Sequence, residues 1–322
     1  MNELQSILLS DMPLLISTDG YRRLMVSAFP PQGATAFFFG ETKTYSQKSR
    51  EAFEDIRRML HAQSAVIASM PGERDPDITL TMDYESPELP QDSVAYHRVW
   101  GIITSDSRWY FSSKRMEQEL LQADQNPQIS AHLLHVNSPG GEAWYLDRLS
   151  ETLRNLQKPV FTLYEMMCSA AVYIGCHGSK VYATTPFDFV GCIGTMTSFW
   201  DFRPYYEQLG IKYVEAKATQ SNLKNKMFDN LRDGHPKQYI EEVLDPLNAS
   251  FLSEVKAMRP RIASLDDDAP VLRGETFYTP AAVELGLVDG QRTLLDVVTE
   301  CYQAGCAWRR TTEKKQSFYQ IL

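Results

Sequence analysis

An α/β fold built on a parallel sheet is what the sequence predicts, and three observations predict it. Short apolar runs suited to buried strands occur at 94–104, 131–137, 160–164 and 180–184. Between them, 112–126, 141–157 and 168–178 carry the apolar spacing or small-residue composition of helices. Each helix then crosses from one strand to the next in a right-handed βαβ unit, which leaves the strands parallel.

The elements follow in order. Residues 1–92 read as an N-terminal α+β extension, with a turn-rich, partly extended stretch at SAFPPQGATAFFFG (27–40) and a helix at SREAFEDIRRMLHAQSAVIAS (49–69). A Pro-, Asp- and Glu-rich stretch (71–93) then separates this extension from the core, with the boundary near Ser93. The core, 93–300, opens with the strand VAYHRVWGIIT and a helix marked by Met116, Leu120, Leu121 and Ala123. The run AHLLHVN ends at a Ser-Pro-Gly-Gly turn, after which Leu146, Leu149, Leu153 and Leu156 recur at steps of three and four until Pro159 stops the helix. Farther on, PYYEQLG (204–210) and PKQYIEEVLDPLNASFLSEVKAM (236–258) read as helices, and 301–322 reads as a polar tail.

Composition excludes some classes. The 322 residues carry a formal net charge of −9, which disfavours a nucleic-acid binder because phosphate neutralisation needs a basic face. The start of the chain has short apolar runs broken by Asp11 and Pro13 with no basic segment before them, unlike a signal peptide. No apolar stretch approaches the roughly 18 residues of a membrane span, so a cytoplasmic protein is expected. Five cysteines without paired CxxC spacing and six histidines without HExxH spacing suggest neither a disulfide framework nor a metal site, and no cofactor is expected.

Three features carry chemistry. NSPGG (137–141) is expected where a strand ends and a helix begins, leaving the Gly140 and Gly141 amides unpaired and able to stabilise an oxyanion. Ser169 follows the strand 160–164 near the start of the next helix, with the small neighbours Ala170 and Ala171, in a position suited to a nucleophile. GCIGTM (191–196) is a glycine-bounded turn of the kind that lines a cleft. Each feature alone also has a purely structural reading, as a turn or a helix cap.

Taken in order, NSPGG, SAAVYIG (169–175), GCIGTM, a helix ending in LGI (209–211) and GETFYTPAAVELGLVDG (274–290) resemble the signal peptide peptidase A (protease IV) family over roughly 94–300. The resemblance implies a ClpP/crotonase-like spiral core and a serine endopeptidase with a Ser/Lys dyad. The nucleophile falls on Ser169 and the oxyanion-hole glycine on Gly140 or Gly141. Ser-Ala-Ala stands where Ser-Gly-Gly is usual, which is similar to the bacteriophage and prophage branch acting in capsid maturation. The lysine motif departs more: QSNLKNKMF (220–228) lacks the usual glycine and proline. Lys224 fits best as the base, Lys226 next and Lys217 third. The resemblance further implies a polypeptide substrate, a cyclic homo-oligomer with sites near protomer interfaces, and capsid or scaffold proteins as partners.

A lysine base must be kept dry. At its reference pKa of about 10.4 it is protonated at neutral pH, and burial beside Leu223, Met227 and Phe228 would lower that value. His177, eight residues after Ser169, is a rival base but would sit roughly 12 Å along the same helix. Cys168 reads as a buried small residue. Two other functions share the expected fold: a crotonase-type acyl-thioester enzyme, and a catalytically inactive scaffold or shell protein.

Overall fold

The computed structural model describes residues 14–16, 43–68, 78–199 and 201–321. The stretch 27–40, read from the sequence as turn-rich and extended, lies outside these residues.

The centre of the molecule is the parallel pair β3 (Ser93–Trp100) and β6 (Ile129–Ser138). All of β6 except Asn137 is buried, as a strand covered by helices on both faces must be. β2 (Leu80–Thr81) pairs outside β3, and β8 (Val160–Cys168) pairs on the far side of β6. Beyond β8 the sheet forks. Phe161–Tyr164 pair with β9 (Lys180–Ala183), whereas Met166–Cys168 pair with β10 (Phe189–Gly191). β11 (Thr276–Tyr278) closes the second prong by antiparallel pairing with β10, and β12 (Gly290–Gln291) closes the first by pairing with β9.

The strand expected at 160–164 therefore continues four residues further, to Cys168. Glu165, its one partly exposed residue, marks the fork and interrupts the apolar run.

Helices cover both faces. On one side lie α2 (Ser113–Gln125), α3 (Leu146–Asn155) and α4 (Ala170–Gly175). α2 begins where the Ser112 hydroxyl accepts the Arg115 amide, and it buries Met116, Leu120 and Ala123. α3 buries Leu146, Leu149 and Leu153, and α4 is buried throughout. On the other side lie α1 (Tyr45–Ala68) and α9 (Leu294–Ile321). Phe53 of α1 stacks on Tyr96 with ring centroids 5.1 Å apart, and Val297, Val298 and Cys301 of α9 complete that layer. Residues on both sides of the boundary near Ser93 thus share one core. Helix α9 runs unbroken through residue 301, where the sequence suggests the start of a tail.

A smaller sheet stands beside the main one, in the order β1 (Leu14–Ile16), β7 (Gly140–Glu142), β4 (Ile103–Thr104), β5 (Phe111–Ser112). The repeated βαβ units and mainly parallel sheet are the α/β core the sequence predicts.

The remaining helices belong to the segment after β10. They include α5 (Arg203–Gln208), α6 (Lys226–Arg232), α7 (Asp245–Met258) and α8 (Thr279–Leu285). Only α7 of the first three buries residues in the core, through Phe251, Glu254 and Val255.

Candidate active site

Ser169 is the residue between β8 and α4, and its backbone is unusual. With φ 54° and ψ −119° it occupies a region that side chains ordinarily avoid, at a cost of about 1–3 kcal/mol. Three hydrogen bonds hold it there. Its amide donates to the Gly191 carbonyl at 2.8 Å, and its carbonyl accepts from Val172 at 2.8 Å and Tyr173 at 3.2 Å. The hydroxyl is left over: Oγ is buried and has no hydrogen-bond partner among the described residues. A buried, unpartnered hydroxyl on a strained strand-to-helix turn is costly unless something else is meant to engage it.

Both sides of that turn are built to tight tolerance. Gly191 (φ 130°) and Cys192 (φ 53°) turn the chain away from β10, and a Cβ at Gly191 would lie 2.4 Å from the Glu275 carbonyl oxygen. The Asp188 carboxylate ties the turn before β10, accepting the amides and hydroxyls of Thr184 and Thr185 at 2.6–2.7 Å. Burial raises the pKa of the neighbouring Cys192 thiol, keeping it protonated.

The glycines of NSPGG do not begin a helix, contrary to the sequence expectation. Gly140 and Gly141 form β7, and α3 starts only at Leu146, after Tyr145 in the left-handed region. The cause is close packing: a Cβ at Gly141 would lie 1.9 Å from the Ile103 carbonyl oxygen, so only glycine lets β7 lie against β4. Nor is the Gly140 amide unpaired, since it donates to Ser138 Oγ at 3.1 Å while that hydroxyl donates to the Gly101 carbonyl at 2.6 Å. The two motifs do converge. Ser138 and Met167 are register partners, so Gly140 and Ser169 each stand two residues beyond a paired position on adjacent strands.

A second amide escaped the sequence reading. Ala170 opens α4, so its N–H has no acceptor within the helix, and it directly follows the nucleophile candidate. The signal was present in the placement of Ser169 at the helix start.

The lysines are not brought to Ser169 within the chain. Lys217 lies 2.9 Å from both Glu215 and Asp229, and hydrogen bonds to Glu215 and then Asp229 raise its pKa, favouring the protonated form. Lys224 and Lys226 are exposed. Leu223, expected to help dry the base, is 74% exposed, while Phe228 packs on Phe199 with ring centroids 4.9 Å apart.

His177 is committed elsewhere. It follows the end of α4, and its Nε2 meets Glu254 Oε1 at 2.8 Å, while Glu254 Oε2 accepts from Arg154 at 2.7 Å. Cys168 is buried on β8, and all five cysteines are thiols. Among the described residues no helix is long and apolar enough to cross a membrane.

Known proteins share parts of this chain. It is 24% identical over 190 residues to "Putative signal peptide peptidase SppA" of Enterococcus faecium, covering 57% of this chain and 53% of that protein. It is 22% identical over 200 residues to "Putative protease MJ0651" of Methanocaldococcus jannaschii, covering 62% and 61%. The chain thus spans little more than half the length of these relatives. A mutant of ClpP1 from Listeria monocytogenes is similar in structure with a TM-score of 0.37 and 12% identity, covering 63% of this chain and 94% of that one. Residues 152–305, from the end of α3 into α9 and including Ser169, match Peptidase family S49.

Proposed function

We propose that the protein is a serine endopeptidase in which Ser169, giving its proton to a lysine, attacks a peptide carbonyl of an extended polypeptide. The C–N bond breaks, the amine fragment leaves with that proton, and water hydrolyses the acyl-enzyme to free Ser169 again. The observation that carries this reading is the buried, unpartnered hydroxyl of Ser169 on a strained turn at the start of α4. The family match over 152–305 supports it. The Gly140 and Ala170 amides receive the oxyanion, with Gly140 exchanging its bond to Ser138 for one to the substrate.

The base is Lys224, with Lys226 the alternative. Both are exposed on the single chain, and so are the apolar side chains of Tyr205, Leu209, Ile211, Val214 and Leu223 in the same segment. A neighbouring protomer packed on this segment would desolvate the lysine and lower its pKa, which favours a cyclic homo-oligomer with jointly built sites. Residues 93–300 form the catalytic unit, with 1–92 as an extension and 301–322 at its C-terminal end. Capsid or scaffold processing in a bacterial cytoplasm, in the manner of the phage-type branch, is the biological setting that fits a chain of this kind.

The test is a time course on casein with the parent protein, Ser169→Ala, Lys224→Ala and Lys226→Ala, read by intact mass. Cleavage lost in the serine variant and in one lysine variant is expected. Cleavage unchanged in Ser169→Ala overturns the mechanism, and absence of cleavage in every form favours the scaffold reading.

A further inference from the structure

Among the described residues, strand β1 is the outermost strand of the small sheet. It lies antiparallel on β7, with Leu14 opposite Glu142, Leu15 opposite Gly141 and Ile16 opposite Gly140. The other side of β7 is held by β4, so without β1 the Gly140–Glu142 backbone is an open edge. An open edge is a template for any extended chain, because its unpaired N–H and C=O groups accept a partner without regard to sequence.

The position of this edge gives it significance. Gly140 and Ser169 each stand two residues past the register partners Ser138 and Met167 on adjacent strands. A strand paired with β7 and running past Gly140 therefore heads toward the paired ends of β6 and β8, the end of the sheet that bears Ser169. Direction matters as well. β1 runs from Glu142 toward Gly140, so its residue numbers rise toward Ser169. An acyl donor has this polarity, since the residues preceding the scissile carbonyl lie on its N-terminal side.

We propose that Leu14–Ile16 is a built-in occupant of the edge that receives substrate, so that the N-terminal segment competes with polypeptide for the site. This rests on the peptidase reading for the identity of the competitor. A three-residue strand is held by few main-chain bonds, and an incoming strand replaces them with bonds of the same kind. The occupant lowers apparent affinity by the fraction of molecules in which the edge is covered, and leaves the shape of the edge unchanged.

The test uses the full chain carrying Ser169→Ala, which removes cleavage from the measurement. Successive amides of a strand point to opposite sides, so Leu14→Pro and Leu15→Pro together remove whichever donor faces β7. The probe is a fluorescein-labelled peptide of residues 10–19, followed by anisotropy. The double-proline variant is expected to bind it at least tenfold more tightly than Ser169→Ala alone. Equal affinity, or binding by neither protein, overturns the proposal. If the prolines impair folding, as judged by circular dichroism, Leu14→Gly with Leu15→Gly is measured against the same expectation. Because no form in this experiment can cleave, its outcome is independent of the casein assay, and failure of the peptidase reading is seen only there.

Discussion

His177 and Glu254 meet at 2.8 Å between the end of α4 and α7, where both side chains are buried. Burial alone would lower the His177 pKa, but the Cys176 sulfur and the Glu254 carboxylate outweigh it and bring the imidazole to about 10. Burial would likewise raise the Glu254 pKa, yet hydrogen bonds from His177 and Ser150 hold it below the usual carboxylate range. The histidine contribution to stability is complete below its unfolded pKa of about 6.5 and is lost as pH rises through its folded value. The glutamate contribution is lost as pH falls through its depressed value. The contribution of His177 to the unfolding free energy, read from urea melts of the parent against His177→Gln, is therefore expected to decline between about pH 6.5 and 10, by at most about 1.4 kcal/mol per pH unit. A difference that stays constant over that range would show that the pair does not hold α7.

Gly141 tests the small sheet. A methyl group there meets the Ile103 carbonyl oxygen at 1.9 Å and the Ile103 backbone carbon and nitrogen at 2.7 Å, and main-chain atoms cannot swing aside as a flexible side chain would. Gly141→Ala is expected to destabilise the protein by about 1–3 kcal/mol, measured as a lower denaturant midpoint. Gly101→Ala, where a Cβ has open space but φ is 74°, should show the cost of backbone strain without the clash.

The strain at Ser169 can be measured directly. Alanine keeps the penalty of φ 54° and ψ −119°, whereas glycine adopts this conformation freely but loses more chain entropy on folding. Ser169→Gly is expected to unfold at a denaturant concentration equal to or above that of Ser169→Ala. In an ordinary strand or helix position the glycine variant would be lower by about 0.5–1 kcal/mol.

Asp188 is the tie that sets β10. Its carboxylate accepts four hydrogen bonds from Thr184 and Thr185, and β10 in turn supplies the Gly191 carbonyl to the Ser169 amide. Asp188→Ala should cost about 1–3 kcal/mol in a thermal or urea melt, because it removes four hydrogen bonds to a charged acceptor, although the half-buried Thr184 and exposed Thr185 donors can turn to water. In the casein assay it should lower activity more than Asp188→Asn, which keeps two acceptor lone pairs.

Much of the fold was legible because burial on both faces leaves a plain mark: the runs in β3, β6, β8 and β9 stand out without knowledge of their partners. The leucines of α3 showed its face equally well, but not its start. Gly-Gly-Glu-Ala ahead of them could open a helix or form a strand, and the contact with Ile103 that decides between these comes from residues almost forty positions earlier. β8 was read four residues short since Glu165 sits where one neighbour gives way to another. Ser169 was placed correctly at the strand-to-helix turn. The surroundings of Lys224 and Lys226 were not legible, because nothing local dries them and Leu223 faces outward. β1 carries no mark of its own among the short apolar runs at the start of the chain.

The fork in β8 has a consequence for the order in which the protein is made. Both prongs are completed by residues from late in the chain, β11 at 276–278 and β12 at 290–291. Until those residues leave the ribosome, β9 and β10 are open edges and the turn bearing Ser169 lacks the frame that holds Gly191 and Cys192. A nascent chain that has not emerged past residue 291 therefore lacks both closing strands, and the turn bearing Ser169 takes its observed frame only once they have paired.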